Sequence, residues 1–227
     1  MKQLILDISS LPEPSFENYV PGKNAELLRL LRDIACGISH QRFVYLWGEP
    51  GSGKTYLLKS LVNAVAKRGV HARYSPCNAH EMLDSESENV DLVAIDDVER
   101  LNEESQISLF NIYNEMRATM GMMIVSGRSA TTELKLRKDL VTRLSWGLAY
   151  ALHGLSDQEK AQALLGQARA RGFELTAEMA NYLLTHVQRD FPTLVATLDA
   201  LDKFSLESKR PITLPLLREI IRTEELP

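Results

Sequence analysis

The stretch Gly48-Glu49-Pro50-Gly51-Ser52-Gly53-Lys54-Thr55 decides how the rest of the chain reads. It is a complete G-x-x-x-x-G-K-T pattern. Before it, Phe43–Trp47 (FVYLW) is a short apolar and aromatic run that predicts a buried strand. After it, Leu57, Leu58, Leu61, Val62 and Val65 recur at helical spacing over residues 54–68, and Gly69 is placed to stop the helix. Strand, glycine-rich turn and helix is the context in which this pattern cradles phosphate. The glycines let the backbone curl until successive N–H groups and the positive helix end surround a β-phosphate. Lys54 can then reach the β- and γ-phosphates, and the Thr55 hydroxyl is a ligand for Mg²⁺. Gly48, Gly51, Ser52, Gly53, Lys54, Thr55 and the adjoining Tyr56 are therefore the candidate nucleotide-binding residues.

A second apolar strand, DLVAID, ends on Asp96-Asp97, and Asp96 stands 41 residues past Thr55. A carboxylate at the tip of a neighbouring strand suits the hydration shell of a magnesium ion, which makes Asp96 the second metal candidate. Asp97 stands where a catalytic base would orient water. Further strands are predicted at residues 72–75, 122–127 and 148–152. Helices are predicted at 103–120, with Ile107, Phe110, Ile112, Tyr113 and Met116 on the inner side, and at 136–145. Strands alternating with helices at this spacing give an α/β class: a parallel sheet covered on both faces. From residue 153 the strand signal stops. Ser156 and Glu159 form a capping box, and three further amphipathic segments follow, around Met179–Val187, Leu194–Leu201 and Leu216–Ile221. The expected organisation is a tail over 1–15, an α/β nucleotide-binding domain over 16–152 and a small helical lid over 153–227.

Composition narrows the class. The 227 residues are 44% hydrophobic and 25% charged, with a net charge of −4, which excludes a disordered chain, a collagen-like chain and a disulfide scaffold. No apolar run reaches the roughly 18 to 20 residues that span a bilayer, and the N-terminus lacks the features of a signal peptide. Cys36 and Cys77 are far apart and form no CxxC pair, so two free thiols in a reducing, cytoplasmic setting are expected. Neither the first 152 residues nor the remainder has an excess of basic side chains, which argues against a duplex-DNA-binding surface. His40, His71, His80, His153 and His186 show no metal-ligand spacing. The acidic run from Asp84 to Asn89 reads as a solvated loop, and Trp47 and Trp146 as core or interface residues.

With both phosphate-site motifs and a helical segment after the sheet, the chain resembles AAA+ ATPases. Within them it is similar to the DnaA family. Phe16-Glu-Asn-Tyr19-Val20-Pro-Gly22-Lys-Asn24 is similar to the segment that lines the adenine pocket there, which adds Tyr19, Val20 and Gly22 to the nucleotide-binding set. Leu144-Ser-Trp146-Gly147-Leu148 is similar to that family's RFxWGL stretch. A chain that ends after the lid, with the string RGFEL at Arg171–Leu175, looks like the Hda-type regulators. The expectation is then of no helix-turn-helix and no sequence-specific DNA binding.

The resemblance implies ADP or ATP with Mg²⁺ as cofactors, and DnaA and the sliding clamp (the β subunit of DNA polymerase III) as partners. A homo-oligomer stays open. It implies inhibition of replication initiation by stimulated hydrolysis of DnaA-bound ATP, with Arg143 as an arginine finger acting in trans, a device worth roughly 10³ to 10⁵ in rate. Gln3-Leu4-Ile5-Leu6-Asp7-Ile8 is similar to clamp-docking peptides, with Gln3 as polar anchor and Leu4, Leu6 and Ile8 as apolar plugs.

Two positions depart from the family pattern. Gly127 stands where the initiator has an aspartate, and Pro192 stands where a sensor arginine is expected. Tight nucleotide binding with little hydrolysis by the protein alone follows. Two rival readings remain at this point: an autonomous ATPase or helicase-loader-like motor, and a truncated initiator-like DNA-binding protein.

Overall fold

The structure is a computed structural model, and it describes residues 13–78, 90–187 and 190–224. The chain divides into two compact units, one over Pro14–Gly154 and one containing Leu155–Pro227.

In the first unit five strands form one parallel sheet. They are β1 (Phe43–Trp47), β2 (Ala72–Pro76), β3 (Leu92–Asp96), β4 (Met122–Gly127) and β5 (Leu148–Ala151), in the order β2-β3-β4-β1-β5. The helices between them are α1 (Ala25–Ala35), α2 (Lys54–Ala66), α3 (Glu103–Ala118) and α4 (Lys138–Leu144). The period of two along the strands sorts side chains to the two faces. Val44, Leu46, Leu92, Ala94 and Ile124 meet Leu27, Leu31 and Ile34 of α1 and Leu57, Leu58 and Leu61 of α2. Tyr45, Val93, Ile95, Met123 and Val125 meet Leu109, Ile112, Tyr113 and Met116 of α3, with Leu140 and Leu144 of α4. Because both faces are covered, β3 is buried along its whole length, the signature of a strand inside a parallel sheet. All five strands run the same way, so their C-terminal ends share one edge, where an open α/β sheet places its ligands.

The second unit is wholly helical: α5 (Asp157–Ala170), α6 (Ala177–His186), α7 (Phe191–Ser208) and α8 (Leu214–Glu224). The capping box at Ser156 and Glu159 is complete in both directions. Pro192 sits in the first turn of α7, where its fixed φ and missing N–H are no handicap, and the Asp190 carboxylate caps that turn by accepting from the Thr193 N–H at 3.0 Å. Leu164, Leu183, Leu194, Leu198, Leu201 and Leu217 are fully buried and give this unit a core of its own.

The α/β sheet and the following helical segment are as expected from the sequence. Details on α3 differ. Ile107 is 45% exposed and Phe110 only partly buried, whereas Leu109 is fully buried, because the inward stripe of α3 follows Leu109, Ile112, Tyr113 and Met116. Helix α1, an amphipathic segment outside the motifs, completes one face of the core. Among the described residues no helix is long and apolar enough to cross a membrane.

Leu58, fully buried between α2 and the sheet, and Ile107 test this packing. Leu58→Ala is expected to lower the unfolding free energy by about 2–5 kcal/mol, and Ile107→Ala by less than about 1 kcal/mol. Urea denaturation of the two variants reads the difference, and equal losses would contradict the placement of α3.

Candidate functional site

The glycine-rich loop joins the C-terminal end of β1 to α2. Gly51 (φ 77°) and Gly53 (φ 99°) hold left-handed backbone that other L-residues adopt only with strain. At Gly48 the requirement is closeness instead: a Cβ there would stand 2.3 Å from the Leu152 carbonyl oxygen. Gly53 is the N-cap of α2 and supplies no side-chain cap, and the first turn of α2 carries no acidic residue. A helix start of this kind keeps backbone donors and a positive dipole end available for an anion. Lys54 is buried, its Nζ donating to the carbonyls of Gly48 (2.6 Å) and Glu49 (3.1 Å). Ser52 is buried too, and its Oγ has no hydrogen-bond partner among the described residues. A buried hydroxyl without a partner is uncommon in native proteins.

Asp96 closes the other side of the loop. It ends β3 and is 3% exposed, yet it accepts three hydroxyl hydrogen bonds. Thr55 Oγ1 and Tyr74 Oη donate to Oδ2 at 2.6 and 2.7 Å, and Ser126 Oγ donates to Oδ1 in a short contact. Ser126 also accepts from the backbone N–H of Asp97 at 3.1 Å. One hydroxyl at the end of β4 thus holds both acidic residues. Burial and the Asp96 hydrogen bond together push the Tyr74 phenol well above its usual range. The Cys77 thiol, buried beside the same carboxylates, is pushed up to about 12, chiefly by burial. Asp97 adopts φ 58°, and its half-exposed carboxylate lies 3.7 Å from Arg100 Nε.

Tyr19, in the segment that also carries Val20 and Gly22, lies alongside the loop. The Tyr19 ring stacks on Tyr56 with centroids 6.0 Å apart and a 27° tilt, and it lies 3.3 Å from the place a Cβ on Gly53 would take. Asn24 anchors this segment. Its Nδ2 donates to the His153 carbonyl at 2.7 Å, and its Oδ1 accepts from the His153 N–H at 2.9 Å. The buried amide thereby acts as a surrogate peptide at the exit of β5. Gly22, with φ 48°, opens the 3-10 turn that delivers Asn24.

Gly127 ends β4 beside Ser126. A Cβ on Gly127 would stand 2.2 Å from Tyr45 Oη, because the buried Tyr45 side chain fills that space and donates to the Ser129 carbonyl at 2.7 Å. The absence of a carboxylate at 127 has a steric partner in Tyr45.

Arg143 lies apart from these residues, in the last turn of α4. Its guanidinium is 4.2 Å from the centroid of the Trp146 ring, 5.5 Å from Phe110 and 5.9 Å from Tyr113. Each such cation–π contact is worth about 0.5–2 kcal/mol, depending on its exposure. Gln3, Leu4, Leu6 and Ile8 lie outside the described residues, as does the acidic run from Asp84 to Asn89. Sequence reasoning did not single out Ser126, Tyr74 or Tyr45. The first has a readable signal, a hydroxyl at the tip of an apolar strand next to the one bearing Asp96.

A glycine-rich loop opening a helix, with a hydroxyl-bound aspartate at the tip of a nearby parallel strand and a helical unit after the sheet, defines a P-loop AAA+ protein. Comparison with known proteins makes the family specific. The bacterial DnaA ATPase domain matches residues 12–151, and the Hda lid domain matches residues 157–221. A Haemophilus influenzae protein described only as uncharacterized is 34% identical over 97% of this chain and 98% of its own. Domain III of DnaA from Thermotoga maritima superposes with a TM-score of 0.70 at 19% identity, covering 95% of this chain and all of that one. AMPPCP-bound DnaA from Aquifex aeolicus gives 0.68 at 21% identity, over 87% of this chain and 70% of that one. The chain belongs to the DnaA-like AAA+ family and is of the Hda type.

Two solution measurements check this geometry. Asn24→Ala leaves the His153 N–H and carbonyl without their partner, and thermal unfolding is expected to show a loss of about 1–3 kcal/mol. At pH 8 the native protein should give one fast-reacting thiol, the exposed Cys36, and two after denaturation, because Cys77 is buried and held protonated. Fast modification of both thiols in the native state would contradict the packing at Cys77.

Proposed function

We propose that this protein is a nucleotide-gated regulator of chromosome replication initiation. It holds adenine nucleotide, ADP in its working state, and docks on the DNA-loaded sliding clamp through Gln3, Leu4, Leu6 and Ile8. From there it presents Arg143 to ATP bound by DnaA. The observation that carries this reading is Arg143 itself. Its guanidinium is seated on aromatic rings, yet among the described residues it has neither a carboxylate partner nor a hydrogen-bond acceptor. An arginine held in place with all its donors open suits an anion that another molecule brings.

The nucleotide site has a fitting donor set. The partnerless Ser52 Oγ, the uncapped start of α2 and Lys54 match the oxygens of a polyphosphate, and the Tyr19–Tyr56 pair gives the base an aromatic wall. Mg²⁺ held through Thr55 and Asp96 would neutralise phosphate charge. Asp97 is the residue that would orient an attacking water. Gly127 offers no polar side chain beside it, and Tyr45 leaves no room for one. Weak hydrolysis by the protein alone follows, which separates this reading from an autonomous ATPase or helicase loader. Support for adenine nucleotide comes also from the fold shared with AMPPCP-bound DnaA.

Hydrolysis of DnaA-bound ATP, measured with clamp loaded on DNA, tests the reading. Arg143→Ala is expected to reduce the stimulated rate by about 10³-fold, while the purified protein alone turns over little ATP. A Leu4→Ala, Leu6→Ala variant should lose clamp binding. An Arg143→Ala variant that stimulates like wild type would remove the finger, and brisk stand-alone turnover would favour the motor.

A further inference from the structure

Arg143 is not the only arginine on its aromatic platform. The Arg117 guanidinium, from the last turn of α3, lies 5.1 Å from the centroid of the same Trp146 ring. Trp146 is 55% exposed, so burial alone does not account for its place. Its position is set locally. The Trp146 N–H donates to the Arg143 carbonyl at 3.1 Å, folding the chain back over the end of α4, and the ring meets the edge of Tyr113 at 6.5 Å and 70°. Tyr113 is itself buried and packs on Phe43 with centroids 4.6 Å apart. A chain of rings therefore runs from the sheet to the surface and ends on Trp146.

Two like charges that share one ring repel each other. Among the described residues neither guanidinium pairs with a carboxylate, and neither donates a hydrogen bond. The ring faces are what hold them. Contact through the face engages the π-cloud and leaves the N–H edge of a guanidinium open, the edge that takes a phosphate oxygen in bidentate fashion. We propose that Trp146 is a positioning residue: its ring holds the Arg143 guanidinium in place to take a phosphate group presented by another protein subunit, with Arg117 as a second cation on the same ring. This rests on the finger role given above to Arg143. It adds two residues, Trp146 as the support and Arg117 as a second cation whose charge the incoming phosphate relieves.

The pose has a direction of effect. If the indole orients Arg143 for a partner's phosphate, removing the ring slows the chemical step and leaves association of the proteins intact. If the ring parked Arg143 out of the way, removing it would speed the step.

The experiment measures maximal rate and half-saturating regulator concentration for hydrolysis of DnaA-bound ATP on clamp-loaded DNA, using the full chain. Trp146→Ala is expected to lower the maximal rate at least tenfold, with half-saturation moving less than about threefold. Trp146→Phe, which restores a ring face, should recover most of the rate. The double variant Trp146→Ala, Arg143→Ala should be no slower than Arg143→Ala alone, since both act through one guanidinium. Arg117→Ala should lower the rate by a smaller factor that shrinks as salt rises. A Trp146→Ala rate within twofold of wild type, or above it, overturns the positioning role, as does Trp146→Phe falling as far as the alanine variant. Arg143→Ala behaving like wild type would instead overturn the finger itself. Thermal melts of each variant separate these outcomes from loss of fold, and Trp146→Leu, which keeps apolar bulk without a ring face, carries the same expected loss and the same overturning result should the alanine variant fail to fold.

Discussion

The Asp96 carboxylate is the constraint on which the first unit turns. It is buried at the tip of β3, where an ionised group is tolerated only when fully hydrogen-bonded. Three hydroxyls meet that need, and each comes from a different element: Thr55 from α2, Tyr74 from β2 and Ser126 from β4. The carboxylate therefore ties the glycine-rich loop to the sheet edge and fixes the register of three strand ends at once. Ser126 extends the same tie to the backbone of Asp97. Loss of any one hydroxyl leaves a buried carboxylate short of a donor.

The loop is held from its other side by uncharged means. Asn24 completes the backbone hydrogen bonding of His153 just past β5, and Tyr19, five residues earlier, lies against Gly53 and Tyr56. An aspartate bound by hydroxyls on one flank and an amide paired with backbone on the other leave the loop little conformational choice. Such pre-organisation is what a phosphate cradle requires, since ordering the loop afterwards would cost binding free energy. The platform under Arg143 follows a similar logic, with rings in place of hydrogen bonds.

Much of this was readable in the sequence because it is local. The G-x-x-x-x-G-K-T string, the DD after an apolar strand, the capping box and the proline at the start of α7 each depend on residues within a few positions of one another. Helix α1 is missing from the sequence reading although Leu27, Leu28, Leu31 and Ile34 have helical spacing, because no motif draws attention to it. What stayed hidden depends on pairings between distant strands. Tyr45 and Gly127 meet only because β1 lies beside β4. Tyr74 reaches Asp96 only because β2 lies beside β3. Neither relation has a trace in residue spacing. The stripe on α3 was misjudged at Ile107 because apolar residues at 107, 109, 110, 112 and 113 fit more than one helical face, and the sheet it packs on makes the choice.

The contact between Tyr45 and Gly127 has a consequence for how this chain could change over time. A carboxylate at 127 requires Tyr45 to move, since the first side-chain carbon would stand 2.2 Å from the phenol oxygen. Shrinking Tyr45 first opens a void in a packed interior and strips the Ser129 carbonyl of its donor. Either order passes through a damaged intermediate. The two positions are thus coupled: a side chain at 127 and the tyrosine at 45 compete for one space.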